Sequence, residues 1–118
     1  MAGRFGSLLP PAEDQSTCRS APFAPCFASG DERVSQHPGI TVMHILFHRE
    51  HNRIATKLAQ VNPHWNDEKI YQEARRILAA EFAHITYNEF LPRIIGFNMA
   101  NKYDLLPKTN GYFTGERC

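Results

Sequence analysis

The sequence predicts a mainly α-helical chain, built as two long amphipathic helices with extended N-terminal and C-terminal loops. Three observations carry that reading. Apolar residues recur at helical spacing over two stretches, a short segment rich in Asn and Pro separates them, and the first third of the chain shows no sustained period. Residues 1–39 hold many of the prolines and small polar residues, so they read as ordered loop with room for a short turn of helix. Pro38 suits the first turn of a helix, where its missing N–H costs nothing. From there Ile40, Met43, Phe47, Ile54, Leu58 and Val61 recur at steps of three, four and seven, leaving Arg49, Asn52 and Lys57 off the stripe, and predict a helix over 40–61.

Asn62, Pro63, Asn66 and Asp67 stop that helix and cap the next. Ile70, Ala74, Ile77, Leu78, Phe82 and Ile85 then predict a second helix over 67–95, kinked or broken near Pro92, and the short connection favours an antiparallel pair. Residues 96–118, with Pro107 and the turn pair Asn110 and Gly111, read as mostly loop.

Composition narrows the function classes. A chain of 118 residues with 42% hydrophobic content supports one modest core. A formal net charge of +1, with the basic residues scattered, supplies no field for nucleic acid or an anionic membrane surface. No apolar run approaches the roughly 20 residues that cross a bilayer, and the opening residues lack the apolar core of a secretory signal. Three cysteines are an odd number, so at least one is free or pairs outside the chain. Cys18 and Cys26 lie close together in a Pro/Ser-rich loop that a bridge would restrain, and their spacing alone leaves the pairing open.

The familiar catalytic signatures are absent: no G-x-S-x-G, P-loop, dinucleotide fingerprint or C-x-x-C occurs. Asp67 and Glu68 sit at a helix start, where the macrodipole explains them. His44, His48 and His51 fall at i, i+4 and i+7 on the first helix, a spacing that can place three imidazoles on one face and bind Zn or Cu. A small His-rich metal-binding module is therefore one alternative reading, against packing beside the apolar stripe.

The stretch from Cys26 to Leu58, with Arg33 inside GDERV just before the long helix, closely resembles the segment that carries the distal arginine of the animal haem peroxidases. The likeness continues in register through YQEARRI (Tyr71–Ile77) and ITYNEFLP (Ile85–Pro92), and backward to LLPPAEDQSTC (Leu8–Cys18). The resemblance implies a fragment of the animal haem peroxidase fold, with haem as cofactor and hydrogen peroxide and a small organic or halide electron donor as substrates. It implies Arg33 as transition-state stabiliser and haem-side residue, because a permanently charged guanidinium can aim two donors at the departing oxygen. From local composition alone, Arg33 reads as an ordinary surface arginine paired with Asp31 or Glu32. Gly30 and Asp31 are expected to shape its turn, the first through unusual backbone angles and the second by bonding local N–H groups.

Where many members carry a glutamate esterified to haem this chain has Gln36, which cannot form that ester. His37 follows, where some members carry a methionine bonded to a haem vinyl. The resemblance also implies a Cys18–Cys26 disulfide, with Cys118 left over, and an extracellular setting. The family's distal-histidine motif, its adjoining calcium loop and its axial-histidine motif do not occur in these residues. The chain thus reads as an internal slice of a catalytic domain, with little activity of its own, whose haem pocket needs the rest of the domain or a partner chain to close it. A further alternative is a truncated, non-catalytic fragment whose helices pack against a partner.

Overall fold

In the computed structural model the described residues are 2–3, 6–7, 9–15, 18, 25–108 and 110–111. Cys118 lies outside them. The chain divides into two compact units, Met1–Leu78 and Ala79–Cys118, with the boundary inside a helix.

The first unit opens with two-residue strands β1 (Ala2–Gly3) and β2 (Gly6–Ser7), paired antiparallel. An isolated antiparallel bridge then joins Pro11 to Phe27. The Ala12 N–H donates to the Cys26 carbonyl (2.9 Å) and the Ala28 N–H to the Pro10 carbonyl (2.8 Å). The Gln15 side chain spans the same gap, donating to the carbonyls of Ala12 and Cys26 and accepting from the Cys26 N–H. Cys18 and Cys26 are disulfide-bonded, eight residues apart with Cα atoms 5.7 Å apart. A 3-10 turn, Glu32–Ser35, leads into α1 (Pro38–Val61).

Helix α1 has 24 residues, about 36 Å of rise. Pro38 occupies its first turn, and the His37 imidazole caps it by accepting from the Gly39 N–H at 3.0 Å. It stops at Asn62, whose backbone and side-chain amides both return to the Leu58 carbonyl. The Asn66 side chain then accepts from the Lys69 N–H (2.9 Å) and caps α2 (Asp67–Ile85). The Lys69 ammonium lies over the Trp65 ring, 4.7 Å from its centre.

Among the described residues the buried side chains of this unit are Leu9, Val34, Ile54 and Ala74, one each from the N-terminal segment, the 3-10 turn, α1 and α2. Most of the predicted α1 stripe is not enclosed: Ile40, Met43 and Val61 are exposed, as is Ile77 on α2. The expected antiparallel pair is accordingly not close-packed. Helix α1 meets α2 through the His51 ring against Tyr71, 5.2 Å between centres, and the two backbones do not run side by side. Helical period marks an apolar face, but burial also requires something to cover it.

In the second unit the helical path widens. Residues Thr86–Phe90 form a π-helical segment followed by α3 (Leu91–Ile95), and the Leu91 N–H reaches back to the Thr86 carbonyl. Pro92 has no N–H to give and its ring would clash with the carbonyl four residues earlier, so a wider turn lets the helix continue across it. Gly96 then turns the chain with φ 81° and ψ 148°, and α4 (Phe97–Lys102) follows with Ala100 buried. Helix α4 corrects the reading of 96–118 as mostly loop over that stretch. Six residues give too little periodicity to stand out in sequence. Gly96 occupies backbone angles reserved almost wholly to glycine, and an added Cβ would meet nothing, so Gly96→Ala is expected to cost about 1–3 kcal/mol through the backbone alone. Faster amide exchange across α3 and α4, with α1 unchanged, is the measurable result. An open groove in this unit is lined by Ala80, Ala83, His84, Tyr87, Leu105, Leu106 and Pro107 and includes none of the predicted site residues.

Candidate functional site

Arg33 sits inside the 3-10 turn immediately before α1, and three neighbouring contacts define its position. Asp31, in extended conformation, caps the turn by accepting the Arg33 N–H on Oδ1 at 2.8 Å. The same carboxylate grips the guanidinium, with Nε to Oδ1 at 3.0 Å and Nη2 to Oδ2 at 2.7 Å. Ser29 braces Asp31 in turn, its hydroxyl accepting from the Asp31 N–H (3.1 Å) and donating to the Asp31 carbonyl (2.8 Å). The turn is tied to the helix by the Thr41 hydroxyl, which donates to the Val34 carbonyl at 2.5 Å, and by the burial of Val34 beneath it.

The guanidinium is largely in solvent, its side chain 71% exposed against 37% for Asp31. Such a pair contributes little to stability, so its value lies in orientation. Hydrogen bonds from the Arg33 side chain and then from its backbone N–H hold the Asp31 carboxyl well below the usual carboxylate range, with smaller electrostatic contributions from the Arg33 charge and then His44. A depressed carboxyl keeps its contribution above the unfolded-state value and loses it only as pH falls through the lower, folded one. The Arg33 side-chain N–H signals are therefore expected to stay constant from pH 7 down through the range where ordinary carboxylates titrate. A shift centred near an ordinary aspartate value contradicts the clamp.

Gly30 plays a smaller part than expected. Its φ is not in the left-handed region and a Cβ there would meet nothing, so Asp31 and Ser29 shape the turn without help from glycine's special angles. Gln36 ends the 3-10 turn, its N–H donating to the Arg33 carbonyl at 3.0 Å, and both Gln36 and His37 are exposed. Arg33, Gln36 and His37 thus share one short, solvent-facing segment.

The histidines of α1 do not form a metal centre. Among the described residues no group of three His, Cys, Asp or Glu side chains is arranged to hold a metal ion. His48 lies against the Asn52 amide at 3.4 Å, and His51 lies with Nδ1 3.5 Å from Asn52 Oδ1 and its ring on Tyr71. Helical spacing brings the three positions to one side, and both His48 and His51 lie against Asn52. The His-rich reading is left without a three-ligand group among the described residues. Elsewhere in REHNR, Glu50 pairs with Arg53 within the helix, and Asn88 bonds back to His84 in ITYNEFLP.

With this geometry in place, similarity to known proteins becomes decisive. The model of the animal haem peroxidase family matches residues 2–116. The chain belongs to the animal haem peroxidase family. It is 46% identical over 106 residues to a chorion peroxidase of Aedes aegypti, covering 89% of this chain and 13% of that protein. It is 51% identical over 96 residues to the myeloperoxidase of Mus musculus, covering 81% of this chain and 13% of that protein. Among solved structures, peroxidase A from Dictyostelium discoideum superposes with a TM-score of 0.66 at 31% identity, covering 78% of this chain and 19% of that one. The chain therefore spans about an eighth of the length of these two curated relatives, which is 13% for both, and its mainly helical fold is that of an animal haem peroxidase segment. No helix among the described residues is long and apolar enough to cross a membrane.

Haem is the cofactor this family implies, and the donor chemistry of the exposed segment can be judged against it. Arg33 offers N–H donors and no lone pair. His37 accepts through Nδ1 from Gly39, which in the neutral ring leaves the proton on Nε2, so it too presents a donor. Gln36 contributes a neutral amide. The set fits donation to oxygen atoms beside a haem and does not fit ligation of its iron.

Proposed function

We propose that this chain supplies the arginine-bearing side of a haem peroxidase site, in which hydrogen peroxide is reduced and a small organic or halide donor is oxidised. When bound, the haem supplies the redox chemistry. Arg33 would lie over it as transition-state stabiliser, with Gln36 and His37 along its edge. Heterolytic cleavage of a hydroperoxide O–O bond there would place the electron pair and negative charge on the departing oxygen. A guanidinium fixed beside that oxygen donates hydrogen bonds that strengthen as the charge grows, which lowers the barrier. Gln36 donates or accepts at the haem edge and forms no ester, and His37 has no thioether for a sulfonium link.

The observation that carries this reading is the two-point hold of Asp31 on Arg33, in a chain whose family membership is shown. Its guanidinium is oriented while its outer edge makes no hydrogen bond to the described residues, as suits a side chain facing a group from outside this segment. The remainder of a peroxidase domain, or a partner chain, closes the pocket and covers Met43, Leu46 and Phe82, which are exposed here. The chain alone is correspondingly weak or inactive, its setting is extracellular, and the disulfide suits that compartment.

A second reading is favoured by the same exposure: a non-catalytic helical segment that packs against a partner, with Arg33 and Asp31 as an ordinary surface pair. A hemin titration separates the two. A defined Soret shift that is lost in Arg33→Ala, with guaiacol oxidation above that of free hemin, supports the peroxidase reading. Identical spectra and rates for both proteins support the second.

A further inference from the structure

We propose that Asp31 is a positioning residue for Arg33, selecting which edge of the guanidinium faces the peroxide; this rests on the reading of Arg33 above. A guanidinium has five N–H donors in a rigid plane. Asp31 takes Nε and one hydrogen of Nη2, which leaves both hydrogens of Nη1 and the second of Nη2. One hydrogen of Nη1 and the remaining one of Nη2 point outward along the Nη1/Nη2 edge, while the other Nη1 hydrogen points to the Cδ side, so the clamp presents an end-on fork.

The hold is tied to the backbone as well as to the side chain. Oδ1 accepts the Arg33 N–H and Nε together, so the carboxylate registers the guanidinium against the turn that carries it. That turn is anchored on one side by Ser29 and on the other by Thr41 of α1. A chain of short contacts thus runs from a long helix to the free edge of Arg33. The charge of Asp31 is needed for only part of this. An asparagine caps a helical turn as well as an aspartate does, but it cannot accept from Nη2 with the nitrogen of its amide.

Asp31→Asn therefore separates capping from positioning. In the full chain, the Arg33 Nε–H resonance, identified by its loss in Arg33→Lys, is expected to exchange with water about two- to fivefold faster in Asp31→Asn, the scale of an exposed ion pair. The backbone amides of Arg33 and Val34 stay in place. Equal exchange in the two proteins overturns the proposal. A functional readout follows from loading the chain with hemin and supplying cumene hydroperoxide, where heterolysis yields cumyl alcohol and homolysis yields acetophenone. The alcohol-to-ketone ratio is expected to fall in Asp31→Asn towards that of Arg33→Lys. A ratio that falls only in Arg33→Lys overturns the role of Asp31 and leaves that of Arg33 standing. A ratio that matches free hemin in every variant overturns both.

Discussion

In the complete haem-loaded domain, replacing Arg33 by alanine is expected to slow peroxide consumption about a hundredfold to a thousandfold, the usual effect of losing one preorganised donor at a developing charge. Helix content should not change. The side chain is mostly in solvent and its ion pair is exposed, so its removal leaves no buried charge behind. Asp31 keeps its bond to the backbone N–H of residue 33, which holds the turn. Arg33→Lys should fall between, because an ammonium retains the charge but loses the planar fork. Stopped-flow measurement of peroxide loss, with circular dichroism on the same samples, checks both halves. If Arg33 is only a surface partner of Asp31, the three proteins will react at the same rate.

Removing the Cys18–Cys26 bridge should have a large effect on stability. The bridged residues are separated by eight positions, and closing so short a loop in the unfolded chain corresponds to about 2.5 kcal/mol on the chain-entropy account. The loss should be local. The bridge closes the segment in which residues 10–12 bond to 26–28, and that segment leads directly into Ser29 and Asp31. Reduction, or paired Cys18→Ser and Cys26→Ser substitutions, should raise amide exchange at Ala12 and Ala28 by close to a hundredfold, the equivalent of that free energy. Gln15→Ala removes three side-chain bonds, two of them across the same gap, and should do less, since exposed hydrogen bonds have a small net value. A bridge whose loss changes neither amide is not holding this segment.

The helices were legible because their signals are local. The Ile40-to-Val61 stripe, the proline at position 38 and the asparagines at 62 and 66 each act within a turn or two of their own position, and α1 and α2 begin and end around them. Burial was not legible. It depends on what lies against a face, and here much of the stripe is open. Pro92 signalled a disturbance, yet a kink, a break and a π-helical widening all satisfy a missing N–H, and nothing local chooses among them. The His44, His48 and His51 spacing fixed a side of the helix but not where each imidazole turns.

At the site, Arg33 stood out through its family motif. The Asp31 contact was foreseeable from adjacency, as a bond to local N–H groups or as a surface pair. That one carboxylate holds the backbone and the side chain of Arg33 together required coordinates. Ser29 carried no signal in sequence, because a serine in a Gly/Asp loop has many local partners. The same holds for His37 as the cap of α1, since imidazole is an uncommon capping group.

The most direct test of Arg33 is a crystal structure of the haem-bound protein with cyanide on the iron as a stand-in for peroxide. The expected result is the Nη1/Nη2 edge of Arg33 within hydrogen-bond reach of the cyanide nitrogen, about 3 Å, with Asp31 still on the Nε side. A guanidinium turned to solvent, with the cyanide held by other groups, contradicts it.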